Sequence, residues 1–512
     1  MPTSRRIFLK NAAASASVAA LPFALPQIAF AAGSTTLTIA QSNDILSLDP
    51  ANHENNSTQS ALVNLYEYLV NKEFPNGKMV FTPALAQSWK QEDPRTWVFE
   101  LRSDVRWHDG KPFTADDVKF TVERMKGNPK LLSAVEKFRS VEKVEVLGPH
   151  RVRLVTSKPD PLFLHNFVGN GGSILPQHAF QAAGSEEAFF AKPIGTGPYR
   201  FVEWKKADRL VLARNPQWWG GASHWERVVI RAIPETATRV AEALSGGVDL
   251  AVNIPPEDIG RLKANADTGI VAFNIARNFG LHLRTEPGVV THDARVREAI
   301  DLAINRQELA DVVADGYATA ARGLFPPEIP NANTRLTATN SFNPDKARQL
   351  IQAAGAKGAK IRFGSPSGRY IKDREVSEAI VGYLQDVGLN AQLEVQEWSI
   401  YNARVGSDSH GEIYFWGMGS YTDASFILNM GSLKRFNPHW RNAEFERLAT
   451  ELPATTGEKE RQAIIWRAQE IITQDRARIG VLYPKAIYSV NKRVQFAGRF
   501  DEMIPAEQVR RA

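Results

Sequence analysis

Not one cysteine occurs in these 512 residues, so whatever the chain folds into is held together by packing and polar contacts alone. That excludes disulfides, zinc–thiolate sites, iron–sulfur clusters, thiol nucleophiles and a lipid attached through a signal-cleavage cysteine. The N-terminus belongs to export rather than to the fold. Ser4-Arg5-Arg6-Ile7-Phe8-Leu9-Lys10 has the twin-arginine pattern, and an uncharged Ala-rich stretch follows from Ala12 to Phe23. Ala29-Phe30-Ala31 fits a small-x-small cleavage site, which assigns 1–31 to a signal peptide and starts the mature chain near Ala32. No later run of ~18 apolar residues suggests a membrane span. The expectation is a soluble periplasmic protein, exported by the twin-arginine pathway and not lipid-anchored.

The roughly 480 residues that remain exceed one hydrophobic core, so two or three domains are expected. The formal charge of +6 includes Arg5, Arg6 and Lys10 of the signal, which leaves about +3 dispersed over the mature chain. No basic stripe marks a nucleic-acid binder. Eleven tryptophans and eleven tyrosines suffice to line a ligand cleft, and equally to fill large cores.

Periodicity gives a mixed chain. Thr35–Ala40, Trp97–Leu101, Val152–Thr156 and Arg209–Ala213 alternate like strands, and Ser57–Val70 is helix-like. Ala294–Val313, Pro344–Ala354, Val376–Val387 and Glu458–Gln474 carry helical periods. Of these, Pro344–Ala354 has Asn343 as its N-cap and Gly355 as its stop. Gly480–Tyr483 closes the series as a strand. The fold class is α+β or α/β, with strands of both kinds.

The stretch Arg106-Trp107-His108-Asp109-Gly110-Lys111-Pro112-Phe113-Thr114-Ala115-Asp116-Asp117 has a reactive look: histidine, lysine and carboxylates lie close together. Structural roles account for them better. Asp109-Gly110 is a turn, Thr114–Asp117 is a capping pattern with Asp for the usual Glu, and Asp116 and Asp117 favour a helix start. No nucleophile accompanies them.

The same region carries a resemblance. Leu85-Ala86-Gln87-Ser88-Trp89, Thr96-Trp97-Val98-Phe99-Glu100-Leu101-Arg102 and Val105-Arg106-Trp107-His108-Asp109-Gly110 together resemble the signature of the family 5 bacterial extracellular solute-binding proteins. These are the dipeptide, oligopeptide and nickel-type receptors of ABC importers. Gly195-Thr196-Gly197-Pro198-Tyr199, Arg214-Asn215-Pro216 with Trp218-Trp219, and Val296-Arg297-Glu298-Ala299-Ile300 with Ile304-Asn305-Arg306 are similar to further family elements, in the family's order. The likeness spans about 36–495. It implies a three-domain periplasmic binding protein-like fold, two lobes closing on a ligand. Domain I would be assembled from 32–67, 193–279 and 476–512, with domain II at 68–192 and domain III at 280–475. The ligand would lie between domains I and III, away from the opening motif.

In peptide-binding members an aspartate shortly after a Trp-rich strand pairs with the peptide amine. The matching window here, 414–425, holds Trp416 and Gly417, and Asp423 is its only acid. The early acid of several peptide binders is replaced by Gly419-Ser420. Asp423 therefore has two open roles, amine clamp or N-cap of the segment that follows. Arg369 and Tyr370 sit in a Gly/Pro/Ser loop, where Arg369 offers a fork for a carboxylate or pairs with Asp373 at the surface. Trp398 and Tyr401 resemble the approach to an aromatic cleft wall, with core burial the alternative. Asn43, Asp44 and the His53–Asn56 loop would face the cleft from domain I.

The expectation is a non-catalytic, monomeric receptor without cofactor or metal. It would pass a peptide or peptide-like solute to its ABC permease in the inner membrane and bind no nucleic acid. An opine-type sugar–amino-acid conjugate or an oligosaccharide is the alternative ligand. An exported enzyme is the competing class, but neither a nucleotide fingerprint nor G-x-S-x-G nor H-E-x-x-H occurs.

Overall fold

The computed structural model describes 35–512 apart from 54, 76–77, 127, 132–136, 338–340, 405–407, 420–421, 430–432 and 435, together with the side chains of 399 and 408. The signal-peptide expectation falls on 1–34, outside the described residues. Thr35–Ala512 forms one compact unit.

A 12-stranded mixed sheet runs through it. Thr36–Gln41 lies parallel to both Arg227–Ala232 and Leu250–Ala251, and Arg209–Arg214 and Tyr199–Lys205 extend that edge antiparallel. On the other side Lys360–Ser367 pairs in parallel with Asn390–Glu397 and with Ile413–Gly419, which in turn lies antiparallel to Arg277–Leu283. One strand, Arg478–Asn491, joins the two sides. Its first residues pair with Arg277–Leu283, and its later ones pair with Thr268–Asn274 and Leu250–Ala251. A separate antiparallel sheet has the order Ala86–Asp93, Thr96–Leu101, Arg151–Thr156, Val141–Gly148.

Distinct hydrophobic cores serve these sheets. Phe99, Trp107, Val118, Val122, Phe163 and Phe167 pack beneath the four-stranded sheet. Leu37, Ile39, Tyr199, Ile230, Tyr488 and Val509 pack on one side of the large sheet, and Leu281, Ile300, Phe363, Ile380, Phe415 and Val481 on the other.

Several elements depart from the periodicity. The expected Ala294–Val313 helix stops at Ala303 and restarts as a short turn at Arg306–Glu308 followed by a wide turn at Leu309–Val313. Asn305 breaks it: its side chain caps the restart by accepting from the Glu308 N–H, while buried Asp301 takes Arg306, Arg322 and Arg476. The helix-like Ser57–Val70 is helical only over Asn56–Leu62. Past it, the Asn64 and Leu65 carbonyls accept the Tyr199 and Gly197 N–H groups, so they are spent outside the helix. The final strand runs on through Pro484 to Asn491, well beyond Tyr483. Pro344–Ala353 and Glu458–Gln474 form helices close to the expected bounds, and Asn343 caps the former through the Lys346 N–H.

Candidate functional site: a polar cavity beside the connecting strand

Where Arg478–Asn491 passes from one side of the large sheet to the other, a cavity opens whose ≈ 610 Å³ of empty space includes open solvent. Gln41, Asn56 and Ser57 line it from the N-terminal part of the chain. Arg369 and Tyr370 line it from the loop after Lys360–Ser367, and Lys485 and Tyr488 from the connecting strand.

Asp373 builds the loop that presents Arg369. Its carboxylate accepts the backbone N–H groups of Gly368 at 3.2 Å and of Arg369, Tyr370 and Arg374 at 2.9 Å. Burial raises the Asp373 carboxyl to about 6 in spite of these bonds. Asp373 thus engages the backbone of Arg369. The surface pairing of the two side chains, the alternative left open by sequence, is absent. The Arg369 guanidinium instead stacks at 5.0 Å from the Tyr370 ring and 5.1 Å from Trp398. Its buried Nε has no hydrogen-bond partner.

A second cation in the cavity is already satisfied. Arg277 meets Glu502 through two bonds of 3.0 and 3.1 Å and donates to the Gly417 carbonyl at 3.0 Å. Asn56 adds a bond to Glu502 at 3.2 Å. The Tyr370 hydroxyl donates to the same Gly417 carbonyl at 3.2 Å. A Cβ at Gly417 would lie 2.7 Å from the Tyr370 ring, so only glycine admits this packing. Gln41 is 3 % exposed, and its Oε1 is buried with no partner.

The other expected contacts fall around this cavity rather than on its wall. Trp398 is half-buried beside Arg369 and packs 5.2 Å from Trp416. Tyr401 is fully buried and donates its hydroxyl to the Phe415 carbonyl at 2.7 Å. Trp416 lines a separate, smaller cavity of ≈ 280 Å³ together with His282, Met418 and Arg478. Asn43 donates to the Ser42 hydroxyl, which also receives Asn253 of the cavity wall. Asp423 is 6 % exposed. It accepts from the Ser425 N–H and from Asn331, both at 2.8 Å, and caps the turn Ala424–Leu428. Gln41, Arg277, Lys485 and Glu502 were not singled out by sequence. Glu502 meets Arg277 across 225 residues, a separation no local pattern encodes.

The reactive-looking stretch lies elsewhere, bound to the Gly195–Tyr199 element. His108 Nδ1 accepts the Gly195 N–H at 3.1 Å, which leaves the proton on Nε2 to donate to the Gly197 carbonyl at 3.1 Å. Burial lowers the ring to about 4, so it is neutral at ordinary pH. Asp117 accepts the Thr114 N–H at 3.0 Å, as the capping pattern requires, and also Trp107 Nε1 and the Gln177 N–H. Asp109 pairs with His178 at 2.7 Å. His108, Asp109 and Asp117 are thus each occupied by the fold.

This mixed sheet, its two sides joined by one strand beside a polar cavity, has the fold of periplasmic binding proteins. The chain belongs to the bacterial extracellular solute-binding proteins, family 5, whose middle region matches 80–437. Among curated relatives, heme-binding protein A of Haemophilus influenzae is 26% identical, with 86% of each chain covered. The dipeptide-binding protein of Escherichia coli K12 is also 26% identical, over 85% of this chain and 86% of its own. Among solved structures, the ABC transporter-associated periplasmic binding protein DppA from Helicobacter pylori, in complex with the peptide STSA, aligns with TM-score 0.80 and 25% identity over 93% of this chain and 98% of its own. The binding protein AgaA of A. tumefaciens R10, in complex with agropinic acid, shares the fold with TM-score 0.80 at 22% identity, over 93% and 99%. Family and neighbours are substrate-binding transport proteins. Among the described residues no helix is long and apolar enough to cross a membrane, and no cluster of metal-ligating side chains occurs.

Proposed function

We propose that the chain is the periplasmic receptor of an ABC importer, capturing a small polar solute of peptide or opine size and releasing it unchanged to its permease. The observation that carries this reading is the cavity whose wall holds Arg369, stacked on two aromatic rings but with its buried Nε lacking a hydrogen-bond partner. A guanidinium left unmatched in a buried wall is costly unless a ligand completes it. Arg369 would take an acidic group of the ligand, Tyr370 and Trp398 would stack behind it, and Asp423 would serve as a cap.

In this reading the chain has the three domains that the resemblance implies. Domain I is built from 32–67, 193–279 and 476–512, domain II from 68–192 and domain III from 280–475. Closure would turn about the connecting strand. The twin-arginine motif supports export of the folded chain to the periplasm. The lack of cysteine rules out a cysteine-linked lipid anchor, and the receptor is taken as a monomer.

The test is a thermal-shift screen of di- and tripeptides, opines and oligosaccharides on the purified mature chain, with compound levels followed by mass spectrometry. A ligand that raises Tm and is recovered intact is the expected outcome. Consumption of the stabilising compound would show an enzyme instead.

A further inference from the structure

We infer that the solute is an acid held at two points, by Arg369 and by Lys485, and that a free ammonium group is not part of what the cavity recognises. This rests on the receptor reading and narrows it to a ligand class.

The charges of the wall argue for it. Among the described residues that line the cavity, Arg277, Arg369 and Lys485 are cationic and Glu502 alone is anionic. Arg277 and Glu502 cancel through their paired bonds, and Asn56 occupies a further acceptor position on Glu502. That leaves two positive charges. Neither the Arg369 guanidinium nor the Lys485 ammonium has an ion pair or a side-chain hydrogen bond. They stand on different elements, the loop after Lys360–Ser367 and the connecting strand, so they address two points of a ligand rather than one.

The remaining polar groups suit the body of such a molecule. The unpartnered Gln41 Oε1 accepts a hydroxyl or an amide N–H, and the Ser57 hydroxyl can donate or accept. The Tyr370 and Tyr488 rings cover apolar faces. A zwitterionic peptide would bring its ammonium into a wall that is already cationic. The acid nearest in sequence to an amine clamp, Asp423, is spent on Ser425 and Asn331. The site therefore fits a small acid carrying hydroxyl or amide groups and two anionic ends, such as an N-acylglutamate.

Two measurements test this. The first compares Kd values by calorimetry for N-acetyl-Ala-Glu, its C-terminal and side-chain diamide, free Ala-Gln, and N-gluconoyl-glutamate, whose nitrogen is an uncharged amide. The diacids are expected to bind, and amidation is expected to cost at least about tenfold, the loss of one charge-assisted contact. Tighter binding of Ala-Gln than of every diacid would overturn the inference and leave the receptor role standing; consumption of a diacid would overturn both.

The second measurement needs no ligand. Wild type and the Arg369→Gln/Lys485→Gln variant are melted in sulfate and in chloride at matched ionic strength. The wild type is expected to gain more Tm from sulfate than the variant, whose Tm in chloride should equal or exceed that of the wild type because two unmatched cations are gone. An equal sulfate response, or a variant markedly less stable in chloride, would assign the two cations to the fold and overturn the inference.

Discussion

Two aspartates show how context assigns a side chain its work. Asp373 and Asp423 both sit at the start of a helical turn and both accept backbone N–H groups. Asp373 spends its carboxylate on four of them and so shapes the loop that carries Arg369 to the cavity. Asp423 closes a turn outside the cavity lining. Asp423→Ala should cost about 1 kcal/mol in urea unfolding through the lost cap, while ligand affinity stays within a factor of about two. An affinity collapse with unchanged stability would restore the amine-clamp role. Sequence alone leaves this choice open, because a cap and a clamp use the same residue type. Arg369 and Tyr370 were legible from their Gly/Pro/Ser loop, whereas Lys485 sits in a strand pattern that records only alternation.

Elements were most legible where one local rule acts alone. Asn343, Pro344 and Gly355 delimit their helix in sequence and in structure. Legibility failed where a distant segment captured the backbone, as at Asn64 and Leu65, whose carbonyls serve the Gly195–Tyr199 element. That docking is tight. A Cβ on Gly195 would stand 1.9 Å from the Leu65 carbonyl oxygen, and one on Gly197 2.7 Å from it. Gly195→Ala should therefore destabilise by more than about 2 kcal/mol, measured by urea unfolding, since backbone rather than a movable side chain blocks the way. Gly148→Ala, with nothing within 4 Å and likewise no positive φ, is the control for loss of glycine without a clash.

At the scale of the whole molecule, buried titratable groups pull stability in opposite directions as pH falls. His108 is held near 4, below its ordinary 6.5, first by burial. Its contribution is complete above 6.5 and is lost as pH falls toward 4. Glu67 is raised to about 7 by burial, against the bonds it accepts from Trp218 and Trp219 at 3.0 Å. Its contribution is complete below its ordinary 4.5 and is lost as pH rises through 7. Between pH 6.5 and pH 4.5, where both ranges overlap, the two therefore compensate. Urea midpoints should show that His108→Gln flattens the loss on acidification and Glu67→Gln steepens it; the same slope in both variants would contradict the assignment. No such balance can be foreseen from composition, because it depends on which carboxylates and imidazoles the packing encloses.

The strand Arg478–Asn491 has a consequence for how the protein is made. A ribosome delivers the chain N-terminus first, and this strand is among the last pieces to emerge. Until it does, Arg277–Leu283, Thr268–Asn274 and Leu250–Ala251 each lack the neighbour they will have, and their open edges are templates for unwanted pairing. The nascent protein must be shielded for nearly its whole synthesis and can then close in a single late step. On the twin-arginine route proposed above, which carries finished molecules, that last step would happen inside the cell, among chaperones.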